Sequence, residues 1–226
     1  MAKREKVEKK SLSLEGTIAD INKQYKKTVI RVGVGDFIPG PKIPFSSPRA
    51  NYMTYGGVPL GRATEFLGPE NGGKTTSLLD VIGQAQKKFP NKRAVLFDLE
   101  NTLDEEWAEK IGVDLDSLIL GKPDDETAEQ ILQSILDIIE TGEVSILGLD
   151  SIPMLVPKGL YDETLDKKSY GGASGVLTEF SRKISAILNK TQTAFVYTNQ
   201  LRDNFNNPYD MYHTPGRETA VLVSDN

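Results

Sequence analysis

The fold is decided by the stretch Gly68-Pro69-Glu70-Asn71-Gly72-Gly73-Lys74-Thr75, which matches the phosphate-binding pattern G-x-x-x-x-G-K-T. Glycines let backbone N–H groups turn towards a phosphate, and the N-terminus of a following helix adds partial positive charge. Lys74 can reach the β- and γ-phosphates of a nucleotide, and the Thr75 hydroxyl can hold Mg²⁺. The stretch therefore predicts a binding site for ATP and Mg²⁺.

The residues around this loop support that interpretation. Residues 63–67 have the composition of a short buried strand, and residues 76–88 have a helical pattern with Leu78, Leu79, Ile82 and Ala85 on one side. A phosphate-binding loop requires a strand before it and a helix after it. The alternative, an ordinary glycine turn before a helix, does not account for the agreement of all three elements.

Composition sets the broad class of the protein. The chain has 226 residues, of which 38% are hydrophobic, which suits one medium domain or one domain with a small appendage. Cysteine is absent, so disulfides and Cys-ligated metals are excluded. No apolar run reaches membrane length and no signal peptide is evident, so we expect a cytoplasmic protein without membrane contact. The net charge of -5 does not indicate a nucleic-acid binder, although binding loops can be locally basic.

The first fifty residues predict a separate N-terminal segment. A helical pattern covers residues 13–25, a short strand pattern covers residues 29–34, and four prolines follow in residues 36–50, which we interpret as an irregular linker. We expect an N-terminal helix and strand at 1–35, a Pro-rich linker at 36–51 and the main domain at 52–226.

The rest of the chain alternates between strand and helix patterns. Strands are predicted at 92–98, 118–120, 144–149 and 193–197, and helices at 104–111, 126–140 and 177–188. The strands are continuous apolar runs, which suit a parallel sheet that is buried on both faces. The pattern predicts an α/β fold with a mainly parallel sheet. Residues 157–172 and 202–210 are predicted to form long loops.

Two of the apolar strands are followed by carboxylates. Glu100 comes just after the strand at 92–98, and Asp150 directly follows the strand at 144–149. Ligands of α/β proteins bind at this edge of the sheet, so Glu100 is a candidate base for activating water and Asp150 a candidate for orienting Mg²⁺ and its waters. Either could instead be an ordinary strand-end carboxylate. Trp107, the single tryptophan, is expected either to pack in the core or to offer a flat face to a purine.

At three places these residues resemble the bacterial RecA recombinase family, as a phage or otherwise divergent member. The first is Gly68-Pro69-Glu70 with Gly73-Lys74-Thr75-Thr76; the second is residues 98–104 with Trp107; the third is Thr198-Asn199-Gln200-Leu201-Arg202. Residues 21–25 are also similar to the family's polymerisation helix. The resemblance extends from about residue 14 to about residue 216. It implies a RecA-like P-loop NTPase core.

The resemblance also implies roles for individual residues. Glu100 would polarise the attacking water, Asp150 would lie near Mg²⁺, and Gln200 would sense the γ-phosphate. Asp104 and Trp107 would contact adenine. The N-terminal helix would pack on the next protomer of a helical filament.

DNA binding is implied at the two long loops and at the helix between them. Arg182 on that helix would contact the phosphate backbone, and the loops contain Lys167, Lys168 and Arg202. Acidic residues are interspersed with these lysines and arginines, and Gly175 stands where the family tends to have a second arginine. We therefore expect weak or strongly salt-sensitive binding to single- and double-stranded DNA.

The resemblance fades after Gly216, and residues 218–226 no longer follow the family pattern. We expect the ATPase core to be incomplete at its C-terminal end and to turn over ATP slowly by itself, because the family's later segment supplies basic residues to the neighbouring subunit's ATP.

Three functional hypotheses follow. The first is a DNA-dependent ATPase that forms a filament on single-stranded DNA and promotes pairing and strand exchange in recombination and repair. The second is a shortened nucleotide-binding module with little ATPase or filament activity. The third is another motor of the same superfold, such as a ring helicase or a clock-type ATPase, against which Pro69-Glu70 and the placement of Asp104 and Trp107 argue.

Overall fold

The computed structural model describes residues 13–26, 30, 40–161, 174–203 and 212–213. The chain divides into two compact units, Met1–Pro39 and Gly40–Asn226. The predicted strand at 29–34 apart from residue 30, most of both predicted loops, and Lys167 and Lys168 lie outside the described residues.

The first unit contains helix α1 (Leu14–Tyr25), as the sequence predicts. The hydroxyl of Ser13 caps this helix by accepting a hydrogen bond of 3.0 Å from the Gly16 amide, and Lys26 ends it in a left-handed conformation. None of the residues of α1 is buried.

The second unit contains a series of strands and helices. Its described strands are β1 (Lys42–Ile43), β2 (Val58–Pro59), β3 (Ala63–Gly68), β4 (Arg93–Asp98), β5 (Leu118–Gly121), β6 (Val144–Asp150), β7 (Ala194–Gln200), β8 (Arg202–Asp203) and β9 (Tyr212–His213). Its described helices are α2 (Pro48–Met53), α3 (Lys74–Lys88), α4 (Glu105–Ile111), α5 (Ala128–Glu140), α6 (Lys158–Tyr161) and α7 (Ser174–Thr191), with a 3₁₀ turn at Ile152–Met154.

A five-stranded sheet of order β3-β7-β6-β4-β5 forms the centre of this unit, and all of its strand pairs are parallel. The predicted α/β class with a mainly parallel sheet is therefore confirmed. All seven residues of β6 are buried, as expected of an apolar run covered on both faces.

Alternate residues of the central strands belong to two separate core clusters. Val95, Leu147 and Phe195 pack with α5 and α7, whereas Leu96 and Val196 pack with α3 and α4. This alternation follows from the two-residue period of a strand. It gives a three-layer arrangement in which helices cover both faces of the sheet.

Residues 40–51 do not form the irregular linker that the sequence predicts. Lys42 and Ile43 pair with β2, and the segment belongs to the second compact unit. Proline is compatible with this structure because Pro48 occupies the first turn of α2, where its missing N–H costs nothing. The side chain of Asn51 also exchanges two hydrogen bonds, of 2.7 and 2.8 Å, with the backbone of Phe45.

The predicted loops at 157–172 and 202–210 begin with short regular elements, α6 (Lys158–Tyr161) and β8 (Arg202–Asp203). Further differences from the predictions concern the ends of elements. Helix α5 begins two residues later than predicted because Thr127 caps it, forming a reciprocal capping box with Gln130. Strand β7 extends to Gln200, since it remains paired with β3 up to the register pair Gly68 and Gln200. Among the described residues, no helix has the length and apolar character to cross a membrane.

Candidate nucleotide-binding site

A polar cleft of about 590 Å³ opens at the carboxyl edge of the central sheet. The residues that line it are Glu70, Asn71, Gly72, Gly73, Lys74, Thr75, Thr76, Glu100, Thr102, Asp150 and Gln200. They come from the ends of β3, β4, β6 and β7, because parallel strands present all of their carboxyl ends at one edge. The structure thus brings the predicted loop, both predicted carboxylates and Gln200 to one place.

The loop after β3 has the backbone form that an anion site needs. Gly73 precedes α3 with φ 78°, a left-handed value that favours glycine, and no side chain caps this helix. The N–H groups of its first turn are therefore available to an anion. Gly72 is also constrained, since a Cβ there would lie 3.0 Å from the carbonyl oxygen of Pro69.

Lys74 is held close to the loop. Its ammonium group donates hydrogen bonds of 3.2 Å to the carbonyl of Gly68 and 2.8 Å to that of Pro69. Both acceptors are neutral, whereas a phosphate oxygen would be a charged and stronger acceptor. The amide of Leu201 donates to the same Gly68 carbonyl at 3.1 Å, so the start of the segment after β7 shares an acceptor with Lys74.

Asp150 lies at the end of β6 with only 4% of its surface exposed. The Thr75 hydroxyl donates to its Oδ2 at 2.6 Å, and the Thr198 hydroxyl donates to its Oδ1. Both carboxylate oxygens therefore have donors from neighbouring elements. Thr75 and Asp150 are placed next to each other, as a shared role at one cation requires.

Glu100 is half-buried and is oriented by the residue after Asp150. The Ser151 hydroxyl donates to Glu100 Oε1 at 2.5 Å, and Ser151 itself is buried. This contact joins the segment after β4 to the segment after β6. Ser151 thus holds one carboxylate oxygen of Glu100, the residue predicted to act as the base, and Glu100 lines the cleft.

Gln200 ends β7 and lines the cleft beside the loop. The backbone N–H of Gln200 donates to Asn199 Oδ1 at 2.9 Å. The side-chain Nδ2 of Asn199 in turn donates to Glu65 Oε1 at 2.8 Å. The bond between Asn199 and Glu65 links the end of β7 to β3.

Asp104 and Trp107 are not among the residues that line the cleft. Asp104 caps α4 by accepting a 3.0 Å hydrogen bond from the amide of Trp107, and the Trp107 side chain is 47% exposed. Trp107 is therefore not a core residue. Its predicted contact with adenine stays a prediction.

Of the predicted DNA-binding residues, the structure describes Arg182 and the backbone of Arg202, and neither is among the residues that line the cleft. Arg182 is exposed on α7, and Arg202 belongs to β8, whose backbone pairs with β9. Lys167 and Lys168 lie outside the described residues. The DNA-binding roles of these residues stay predictions.

The donor set of the cleft fits a nucleotide and Mg²⁺. Glycine N–H groups and Lys74 suit phosphate oxygens, and the Thr75 hydroxyl and Asp150 are oxygen ligands of the kind Mg²⁺ prefers. Among the described residues, no cluster of three or more His, Asp or Glu side chains is arranged to hold a metal. Mg²⁺ bound here would therefore take further ligands from phosphate and water, as is usual for this ion.

Sequence reasoning missed three side chains of the site: Thr102, which lines the cleft, and Ser151 and Thr198, which hold the two carboxylates. The sequence does contain one indication for Thr198, because this residue follows an apolar run just as Asp150 does and therefore should lie at the same edge of the sheet. Their contacts required knowledge of which strands are neighbours.

Comparison with known proteins identifies related chains. The family model described as the RecA N-terminal domain matches residues 12–220. Protein RecA from Thermus aquaticus is 35% identical over 223 residues, which cover 96% of this chain and 64% of that protein. Protein RecA from Clavibacter michiganensis is 35% identical over 193 residues, or 84% of this chain and 52% of the relative.

A third relative, Protein RecA from Aquifex pyrophilus, is 33% identical over 227 residues, which cover 98% of this chain and 63% of that protein. The chain thus spans between about half and two thirds of the length of these curated relatives.

Proposed function

We propose that this chain, which belongs to the RecA family, is the nucleotide-binding core of an ATP-dependent homologous recombinase. In this proposal it binds single-stranded DNA as a filament in the cytoplasm and promotes pairing and strand exchange with double-stranded DNA. The observation that carries the proposal is the single cleft lined by Lys74, Thr75, Glu100, Asp150 and Gln200. Phosphate binding, cation binding, water activation and sensing of the γ-phosphate need these residue types together.

The phosphates of ATP would lie along the loop at residues 70–76. Lys74 would exchange its neutral acceptors, the carbonyls of Gly68 and Pro69, for charged phosphate oxygens. Mg²⁺, when bound beside Thr75, neutralises charge on the phosphates. The loop amides and the Lys74 ammonium stabilise the charge that develops during transfer.

Glu100 would act on the attacking water. Ser151 holds its Oε1, which leaves the other oxygen to accept a hydrogen bond from water in the cleft. Gln200 would respond to the terminal phosphate from the end of β7, and the segment that follows would transmit that response to DNA. A ligand-dependent change of this kind requires different affinities for ATP in the two arrangements of the segment.

ATP binding and hydrolysis by three variants test this proposal. Lys74→Ala should abolish binding of a fluorescent ATP analogue. Glu100→Gln should retain binding and slow hydrolysis by about 100-fold or more. Glu105→Gln, a carboxylate change outside the cleft, is the matched control and should behave as wild type.

Hydrolysis is measured with and without single-stranded DNA, because a recombinase couples its turnover to DNA. Wild-type rates from the Glu100→Gln variant would remove the catalytic assignment. Equal rates with and without DNA, both in this chain and in a full-length relative, would contradict the recombinase itself.

A nucleotide-binding module with little ATPase or filament activity is the second candidate function. The observation that favours it is that Lys74 is the one cationic side chain among the described residues that line the cleft, so the described part of the chain offers one side-chain positive charge to the phosphates there. Light scattering with ATP and DNA separates the two candidates, because a filament grows and scatters more whereas a monomer does not.

A further inference from the structure

We propose that Thr198 is a positioning residue for the Mg²⁺ site, fixing the carboxylate of Asp150 so that its other oxygen faces Thr75. The inference rests on the proposed nucleotide site. It assigns to this site a hydroxyl that neither lines the cleft nor belongs to the phosphate-binding loop.

The contacts restrain Asp150 from both sides. Thr198 donates to Oδ1 and Thr75 donates to Oδ2 at 2.6 Å, so the carboxylate cannot rotate about its terminal bond without breaking both hydrogen bonds. Thr198 is fully buried and Asp150 is 4% exposed. Water therefore cannot replace the Thr198 hydroxyl, and a hydrogen bond to a charged group counts for more in such surroundings.

The backbone shows why a side chain is needed here. The ladder between β6 and β7 ends at the register pair Leu149 and Tyr197, one residue before Asp150 and Thr198. On its other side, β7 stays paired with β3 as far as Gly68 and Gln200. The Thr198 hydroxyl thus joins the end of β6 to β7 where their backbone pairing has stopped.

The orientation of Asp150 matters to a cation at Thr75. A threonine hydroxyl can offer a lone pair to Mg²⁺ while its hydrogen still points to a carboxylate. That arrangement requires Oδ2 of Asp150 to face Thr75, which is the orientation that Thr198 secures from the Oδ1 side. Mg²⁺ tolerates little departure from octahedral geometry, so a loosely held Asp150 would weaken its binding.

Loss of the Thr198 hydroxyl should therefore weaken the binding of Mg²⁺ and leave the metal-free binding of nucleotide nearly unchanged. Thr198→Val keeps the shape of the side chain but removes the donor. We expect the half-saturating Mg²⁺ concentration for binding a fluorescent ATP analogue to rise about tenfold, the size of one hydrogen bond to a charged group. Binding of the analogue in excess EDTA should change by less than about twofold, because the loop and Lys74 hold the phosphates.

Three comparisons make the measurement specific. Thr198→Ser restores the donor and should return the Mg²⁺ requirement towards wild type. Thr64→Val is the matched control, because within the described part of the chain the buried Thr64 hydroxyl on the neighbouring strand has no hydrogen-bond partner. In an Asp150→Ala background, Thr198→Val should add no further change, since alanine has no oxygen to accept the Thr198 hydroxyl.

The outcomes distinguish the inference from the function it rests on. An unchanged Mg²⁺ requirement in Thr198→Val, or an equal loss of binding with and without Mg²⁺, overturns the positioning role. Thr198→Ala, which introduces no new contact, must show the same selectivity for the metal, or the role is also rejected. A folded wild-type protein that binds the analogue in neither condition rejects the nucleotide site itself, and the inference with it.

Discussion

Removing the hydroxyl of Tyr197 should stabilise the protein. This side chain is 1% exposed and stacks on Phe195 with ring centroids 5.6 Å apart, yet its buried hydroxyl has no hydrogen-bond partner among the described residues. A buried unpaired polar group costs about 1–3 kcal/mol. Tyr197→Phe keeps the ring contacts and leaves only the volume of one oxygen empty, so we expect the free energy of unfolding to rise by about 1 kcal/mol at neutral pH.

The stability that Tyr197→Phe gains over wild type should increase at alkaline pH. Burial, and secondly the negative charge of Glu65, raise the pKa of Tyr197 well above its usual value. Above about pH 10 the unfolded chain loses the tyrosine proton while the folded chain keeps it. The folded state then binds one proton more, so wild-type stability falls by up to about 1.4 kcal/mol per pH unit from this group. Below that pH the contribution of Tyr197 is constant.

Urea unfolding of both proteins at pH 8 and pH 11 measures the effect. The free energy of unfolding of Tyr197→Phe should exceed that of wild type by about 1 kcal/mol at pH 8 and by about 2 kcal/mol at pH 11. The titration of the other tyrosines contributes equally to the stability of both proteins, so it cancels in this difference. Tyr52→Phe removes the same atom from a side chain that is 86% exposed and should change nothing. A loss of stability in Tyr197→Phe, or a difference that does not grow with pH, would refute the reasoning.

Two further substitutions test the packing and capping of the helices that flank the sheet. Gly83→Ala in α3 should destabilise by about 1–2 kcal/mol despite the better helix propensity of alanine, because a Cβ there would lie 2.6 Å from the Gly112 carbonyl oxygen. Gly175→Ala in α7 is its control and should be neutral or stabilising, since no atom of the described residues lies within 4 Å of a Cβ placed there. Thermal unfolding that ranks the two variants in the opposite order would contradict this account. Thr127→Ala should lower the free energy of unfolding by about 1 kcal/mol by removing the capping box with Gln130, and a change near zero in urea titrations would show that the cap is dispensable.

Local signals in the sequence were enough to predict the central layer of the fold. Strands β4 and β6 are apolar runs whose burial follows directly from their composition, and the sequence places both to within one residue. Strand β3 is also placed to within one residue, but it is not buried as predicted: only Ala63 and Gly68 are buried, and Leu67 is 43% exposed. The segment at 40–51 differs from the predicted linker because prolines such as Pro48 are compatible with regular structure at the start of a helix. What makes this segment part of the core is the pairing of Lys42 and Ile43 with β2, a contact that no local pattern encodes.

The sequence by itself determined which residues of the site can bind phosphate, because the loop at 68–75 is contiguous and its chemistry is local. It also placed Glu100 and Asp150 at strand ends. Only the tertiary structure decided that Ser151 holds Glu100 and that Thr198 holds Asp150. These contacts join residues about 50 positions apart in the chain. They exist because the strand order sets β6 between β4 and β7, and strand order is a property of the folded sheet rather than of any single stretch of the chain.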